Sequence, residues 1–244
     1  IVYGEEASPG DVMQPMVTED GVLIQGFFPG TDAAEVVVGK TSYPMILEDE
    51  AGYYAVMLPL KRIPEYRFRV TRGSMKETFY DAYECPCQIT EEEEKAFCAG
   101  VYYKAYEKLG AHPGICGGVK GTYFAVWAPN AIRVSVVGDF DRWDGRRLPM
   151  HRMPMSGIFE LFVPGVQAGV SYQYEIKIKG GNVQRKSDPY GNGTQGAPSV
   201  ISVVTDLGDF SWQDEAWMKE REKFASREVP VSIYETDVTE WKNS

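Results

Sequence analysis

Gly52-Tyr-Tyr-Ala-Val-Met-Leu-Pro59 is answered 105 residues later by Gly157-Ile-Phe-Glu-Leu-Phe-Val-Pro164. Working outward from that pair, Tyr66-Arg-Phe-Arg-Val-Thr-Arg-Gly73 returns as Tyr172-Gln-Tyr-Glu-Ile-Lys-Ile-Lys-Gly180, and Asp81-Ala-Tyr83 as Asp188-Pro-Tyr190. Upstream, Phe28-Pro-Gly and Val36-Val-Val38 correspond to Trp127-Ala-Pro and Val134-Ser-Val136. One order of segments therefore occurs twice, which is the signature of two consecutive copies of a single module.

Each segment alternates apolar and polar residues with period two, as strands with one buried face do. Tyr123, Ala125 and Trp127 share one face, and Thr122, Phe124 and Val126 the other. This reading places Trp127 in the core with Tyr123. Short strands about ten residues apart, broken by Gly, Pro, Asn and Asp, predict an all-β chain of two tandem immunoglobulin-like sandwiches. Between the copies, Thr90 followed by Glu93 is a capping box, and Glu91 to Glu94 put negative charge at the positive end of a helix. That helix is expected to run to about Leu109 and stop at Gly110. The expected division is 1–89 for the first sandwich, 90–116 for the connecting helix and loop, 117–207 for the second sandwich, and 208–244 for a linker and the truncated start of a further domain. Asp209 to Arg227 reads as helical or irregular, and Val231-Ser-Ile-Tyr234 as one more short strand.

Composition narrows the function. With 43% hydrophobic residues and 13% aromatics, the chain can bury two cores. A net charge of −10 argues against nucleic acid, whose phosphates would be repelled. No apolar stretch is long enough for a bilayer, and the first residues lack the regions of a signal peptide. They also lack an initiator Met, so the chain is expected to begin inside a longer protein. Cys85, Cys87, Cys98 and Cys116 miss the spacing of a zinc site and read as reduced thiols of a cytoplasmic protein. Only two histidines are present, and neither a metal nor a cofactor is expected.

Copy two differs from copy one by an insertion. The offset between copies is 98 at the Val-x-Val strand and 105 at the Gly-aromatic strand, a gain of about seven residues. The inserted segment, Gly138-Asp-Phe-Asp-Arg-Trp143-Asp-Gly-Arg-Arg147, puts Phe140 and Trp143 on a turn among Asp139, Asp141 and Asp144. Two readings of Trp143 stand side by side: a plug at the end of the sandwich, or a flat platform for a sugar ring. The aspartates miss the calcium-loop spacing and read as turn formers. Gly114-Ile-Cys-Gly-Gly-Val-Lys-Gly misses the phosphate-loop spacing, since Val119 stands where glycine is needed.

Tyr106-Glu-Lys-Leu-Gly-Ala-His-Pro113, Phe124-Ala-Val-Trp-Ala-Pro-Asn130, Val134-Ser-Val-Val-Gly-Asp-Phe140, Arg142-Trp-Asp-Gly-Arg-Arg147, Glu160-Leu-Phe-Val-Pro-Gly165 and Ser187-Asp-Pro-Tyr190 closely resemble segments of the 1,4-α-glucan branching enzymes. The resemblance implies that 117–207 is a family-48 carbohydrate-binding module of E-set type. The first copy would then be the extra N-terminal domain that some bacterial members carry. It also implies α-1,4-glucan (glycogen, maltooligosaccharides) as ligand and the protein's own catalytic barrel as partner. Trp212 to Trp217 and Val231 to Glu235 look like the approach to that barrel, but Thr236-Asp-Val-Thr-Glu-Trp241 departs from the family pattern. The barrel and its carboxylates would lie downstream, so the chain alone is expected to be inactive; retaining chemistry needs two carboxylates about 5 Å apart.

Candidate sugar contacts are Trp143, Phe140, Asp139 and Arg142. Asp188, Pro189 and Tyr190 are expected to face the barrel or form a turn. Sugar-binding relatives also offer a lysine and a second aromatic; here Gln173 replaces the lysine and no Trp stands near Gly181 to Gln184. Weak binding is the expectation. The alternatives are a free-standing glycogen-binding regulatory module and an adhesive tandem sandwich without a glycan role.

Overall fold

The structure is a computed structural model, and it describes residues 6, 8–196, 200–208, 211–224, 230 and 232–235. The first module comprises β1 (Met16–Val17), β2 (Val22–Phe27), β3 (Ala33–Val38), β4 (Thr41–Pro44), β5 (Ile46–Asp49), β6 (Tyr53–Leu58), β7 (Arg67–Arg72) and β8 (Met75–Phe79), preceded by the short helix α1 (Pro9–Met13). The second comprises β9 (Gly110–Cys116), β10 (Val119–Trp127), β11 (Ala131–Gly138), β12 (His151–Arg152), β13 (Ile158–Pro164), β14 (Ser171–Ile178), β15 (Val183–Lys186) and β16 (Ser202–Val203). The first module forms two antiparallel sheets, ordered β1-β2-β6-β5 and β4-β3-β7-β8; the second forms β12-β13-β10-β9 and β11-β14-β15, with β16 against β14. The pairing β2–β6 recurs as β10–β13, and β3–β7 as β11–β14. The repeat in the sequence is thus a repeat in strand pairing.

Two devices are copied along with the strands. Gly52 (φ +110°) and Gly157 (φ +71°) open the Gly-aromatic strands. A Cβ on either would lie 2.7 Å from the Cα of Pro29 or Pro129. Glycine is therefore required by both conformation and space. In the second device, buried Tyr66 donates its hydroxyl to Asp81 at 2.6 Å, and buried Tyr172 donates to Asp188 at 2.6 Å. Each aspartate accepts a further bond from the backbone N–H two residues on, Tyr83 or Tyr190.

The first core packs Val22, Ile24, Val36, Leu58, Phe68 and Val70 between the sheets. The second packs Phe124, Val126, Val134, Val136, Phe159 and Tyr172, and extends into the first module through Met13, Phe27, Ala82 and Tyr83. On β10 the core face is Thr122, Phe124 and Val126, so the expectation that Trp127 is a core residue is corrected. Trp127 is 53% exposed, at the end of the outer face, edge-on to Phe97 with its indole N–H donating to Ser156 O. The inward assignment of the Tyr123 face failed because both faces of this sheet are covered: Ala125 and Ile158 pack under Ile89, Leu109 and Phe97. Alternation is uninformative where neither face meets water.

The connecting helix α2 spans Glu91–Cys98, with both halves of the Thr90–Glu93 capping box formed. It stops well short of Leu109. Gly100 at φ +72° ends it, and Ala105–Glu107 follows as a separate 3₁₀ turn. Left-handed glycine just past the last turn is a common helix terminator. Strand β9 falls within the stretch expected to be connector and pairs with β10 from Gly110 onward, so the second sheet begins before 117. Cys85 and Cys116 form a disulfide, which corrects the expectation of four reduced thiols; Cys87 and Cys98 are free.

Three sets of polar contacts join the end of the first module and the connector to the second sandwich. Glu160 accepts the backbone N–H groups of Gln88 (2.9 Å) and Ile89 (3.3 Å). Glu94 accepts from Met155 N, Ser156 N and the Ser156 hydroxyl, all within 2.9 Å. Tyr83 donates to Pro149 O at 2.9 Å. Glu94 thus does more than favour the helix dipole. Residues 1–206 form one compact unit and 207–244 a second. In the latter, α3 (Glu215–Phe224) is the one assigned element among the described residues. Ser232 to Glu235 carry no strand there, while Val231 and Thr236 to Trp241 lie outside the described residues.

Candidate functional site

The inserted segment leaves β11 at Gly138, makes a 3₁₀ turn over Asp139–Asp141, and reverses through Arg142 (φ 64°) and Trp143 (φ 59°). Two successive non-glycine residues in the left-handed region cost about 1–2 kcal/mol each, so something must hold them there. Asp141 does. Its Oδ1 accepts Gly138 N at 2.8 Å and Trp143 N at 3.0 Å, and Trp143 N also reaches Gly138 O at 2.9 Å. Asp141 is buried, and burial pushes its carboxyl up to about 7 despite those two bonds and the charge of Arg147.

Phe140 and Trp143 part company on this loop. Phe140 turns inward and stacks on core residue Phe124, with centroids 6.4 Å apart. Trp143 belongs to no core cluster among the described residues and is partly exposed over the outer face of the β11-β14-β15 sheet. Its indole N–H donates to Asp139 Oδ1 at 2.7 Å. The Arg185 guanidinium lies 5.8 Å from the ring and donates to Trp143 O at 2.7 Å. Arg185 is in turn held by Glu175, its cross-strand partner in the β14–β15 register, and Glu175 pairs with buried Arg133 at 2.7 Å. The result is an aromatic face fixed in orientation and ringed by hydrogen-bonding groups, the chemistry an amphipathic sugar ring needs.

The other candidates separate from it. Arg142 pairs with Glu77 of β8, which Arg72 also holds at 2.8 Å; it reaches across to the first module. Asp188 accepts from Tyr172, Tyr174 and the backbone of Tyr190, while Pro189 and Tyr190 sit exposed on the turn it closes. Gln173 is nearly buried, donating to Val200 O at 3.4 Å. Arg185 was not among the sequence candidates. The signal for it is the opposite charge of Glu175 on the paired strand, visible only once the register is known. Among the described residues no cluster of His, Cys, Asp and Glu is placed to hold a metal, and no helix is long and apolar enough to cross a membrane.

Comparison with known proteins follows the two modules. Residues 1–83 match "alpha-1,4-glucan branching enzyme GlgB, N-terminal domain", and residues 108–191 match "Carbohydrate-binding module 48 (Isoamylase N-terminal domain)". The chain joins a branching-enzyme N-terminal domain to a family-48 carbohydrate-binding module. The 1,4-alpha-glucan branching enzyme GlgB of Nostoc sp. (strain PCC 7120) is 36% identical over 99% of this chain, and that of Synechococcus sp. (strain JA-3-3Ab) 36% identical over 100%. The chain spans 32% and 34% of those two relatives' lengths. A pullulanase from Anoxybacillus sp. LM18-11 aligns at 18% identity and a TM-score of 0.36, over 82% of this chain and 28% of its own. The expectation that the first copy is a branching-enzyme N-terminal domain and the second a family-48 module is met.

Proposed function

We propose that this chain is the non-catalytic front of a 1,4-α-glucan branching enzyme, in which the family-48 module holds α-glucan on Trp143 and both sandwiches brace the enzyme's own catalytic barrel. The observation that carries the binding half is the placement of Trp143: an indole outside the core, held at the loop tip by Asp141, Asp139 and Arg185. A preorganised ring loses little freedom on binding. The bracing half is supported by the buried contacts of Glu94, Glu160 and Tyr83, which fasten the two sandwiches together. Cytoplasmic residence belongs to the same reading, although the Cys85–Cys116 disulfide removes the reduced thiols it first rested on. The branching reaction itself is assigned to the barrel, and the chain alone is expected to be inactive.

Electrophoresis through glycogen-containing gels tests the platform. Trp143→Ala is expected to lose retardation while keeping its melting temperature, because the indole supports no core. Equal retardation of mutant and wild type would remove the platform. With Gln173 in place of a lysine, millimolar affinity for maltoheptaose is expected, which is about −4 kcal/mol.

A further inference from the structure

The inserted loop faces two ways. Trp143 lies over the outer sheet, whereas Phe140, Asp141 and Arg142 line a cavity of about 290 Å³ at the seam between the two modules. Phe28, Phe68 and Phe79 of the first module and Phe140 of the second give it aromatic walls, and the carboxylates Glu77, Asp81, Asp139 and Asp141 also line it. Arg147 also lines it. Trp143 does not, although Asp139, which holds its indole, borders both.

The charges around the cavity do not close on themselves. Glu77 has both oxygens engaged, Oε1 by Arg142 and Oε2 by Arg72. Asp139 accepts the indole N–H of Trp143, and Asp144 is taken by Arg146 through two nitrogens. Asp141 spends Oδ1 on the loop backbone, and its buried Oδ2 has no partner. Arg147 is left with a single hydrogen bond, Nη1 to the backbone O of Asp141 at 3.2 Å, and no ion pair among the described residues. Burial first, and then the charge of Arg72, lower its pKa against the opposing charges of Asp141 and Glu77. Arg72 Nη2 is likewise buried without a partner. A planar guanidinium of this kind is the side chain best suited to a carboxylate or phosphate. An anion there would give Arg147 the ion pair it lacks.

We propose that the seam cavity is a binding site for a small anionic ring compound, with the anion on Arg147 and the ring between Phe79 and Phe140. The volume sits at the lower edge of the roughly 300–1,000 Å³ usual for ligand pockets, so one ring with one phosphate or carboxylate is the appropriate size. Such a ligand touches both modules and stabilises their junction. This inference does not rest on the Trp143 reading.

Isothermal titration calorimetry and thermal shift on the whole chain, at low salt and pH 8, distinguish the possibilities. The probes are glucose 6-phosphate, glucuronate, glucose and inorganic phosphate. Saturable binding by glucose 6-phosphate or glucuronate is expected, the stronger of the two identifying the anion. Glucose, lacking the anion, and phosphate, lacking the ring, are each expected to bind at least tenfold more weakly. Arg147→Gln should weaken binding at least tenfold, and Trp143→Ala should leave it unchanged. Should Arg147→Gln fail to fold, Arg147→Lys keeps the charge but not the fork and is expected to lose most of the affinity. Absence of binding by both ring anions, equal binding by glucose, equal binding by phosphate, or undiminished binding by the Arg147 variants would each overturn the proposal.

Discussion

Changing Tyr66 to Phe and, separately, Tyr172 to Phe tests whether the duplicated Tyr–Asp pairs carry equal weight. Both hydroxyls are buried and both donate at 2.6 Å, so the two changes delete the same atom from equivalent places. The consequences differ because the aspartates differ. Asp81 Oδ2 accepts from Tyr66 alone, so Tyr66→Phe strands a buried carboxylate oxygen. Asp188 Oδ2 also accepts from Tyr174 at 3.1 Å, so Tyr172→Phe leaves it one bond. An unsatisfied buried acceptor costs about 1–3 kcal/mol and more if charged, whereas a lost bond at a still-satisfied group costs about 0.5–1.5 kcal/mol. Burial pushes Asp81 up to about 7, against the bonds from Tyr66 and Tyr83 N that favour its charge. Losing the Tyr66 bond pushes Asp81 higher still, so the variant's carboxyl is also driven to take up a proton. The expected loss is about 2–3 kcal/mol for Tyr66→Phe and about 1 kcal/mol for Tyr172→Phe, read from urea unfolding followed by far-ultraviolet circular dichroism. At about 2–4 °C per kcal/mol for a chain of this size, the melting temperatures should separate by several degrees. Equal losses, or a larger loss for Tyr172→Phe, would refute the counting of acceptors on which the argument stands.

Gly157→Ala is expected to cost about 2–4 kcal/mol in the same unfolding experiment, from left-handed strain and contact with Pro129 together. Trp127→Ala should leave the second sandwich folded and cost no more than about 2 kcal/mol, since half of the ring is already in water. For Asp141, the folded pKa of about 7 lies above the ordinary 3.8, so its contribution to stability is whole below pH 4 and is lost as pH rises through 7. Melting temperature should accordingly fall between about pH 4 and pH 7, and Asp141→Asn should flatten that decline; an unchanged slope in the variant would show that other groups cause it.

The tandem architecture was legible because a repeat fixes strand order without any need to solve either copy, and the Pro–Gly and Tyr–Asp devices recur at matching places. The helix end was misread because Gly110 was taken as the stop, whereas Gly100, ten residues earlier, already has the left-handed φ that ends it. Trp127 was misassigned for a different reason: alternation reports a buried face only when the opposite face is wet, and here Phe97 and Ile89 cover it. At the site, Trp143 was legible as an aromatic on an insertion. Arg185 and Arg147 were not, since their significance lies in what they do or do not pair with across strands and across the seam.

The buried acceptors Glu94 and Glu160 bear on how the two sandwiches can be studied apart. Glu160 takes its backbone N–H donors from Gln88 and Ile89, so cutting the chain near residue 90 strips it of them, and cutting at 117 also removes Glu94, the acceptor for Met155 N and Ser156 N. The second core also loses Met13, Phe27, Ala82 and Tyr83. A fragment beginning at 117 would therefore start life with a hole in its interior and without its outermost strand, β9. The pair should melt in one cooperative transition, and a workable excision of the carbohydrate-binding module has to carry its neighbour with it.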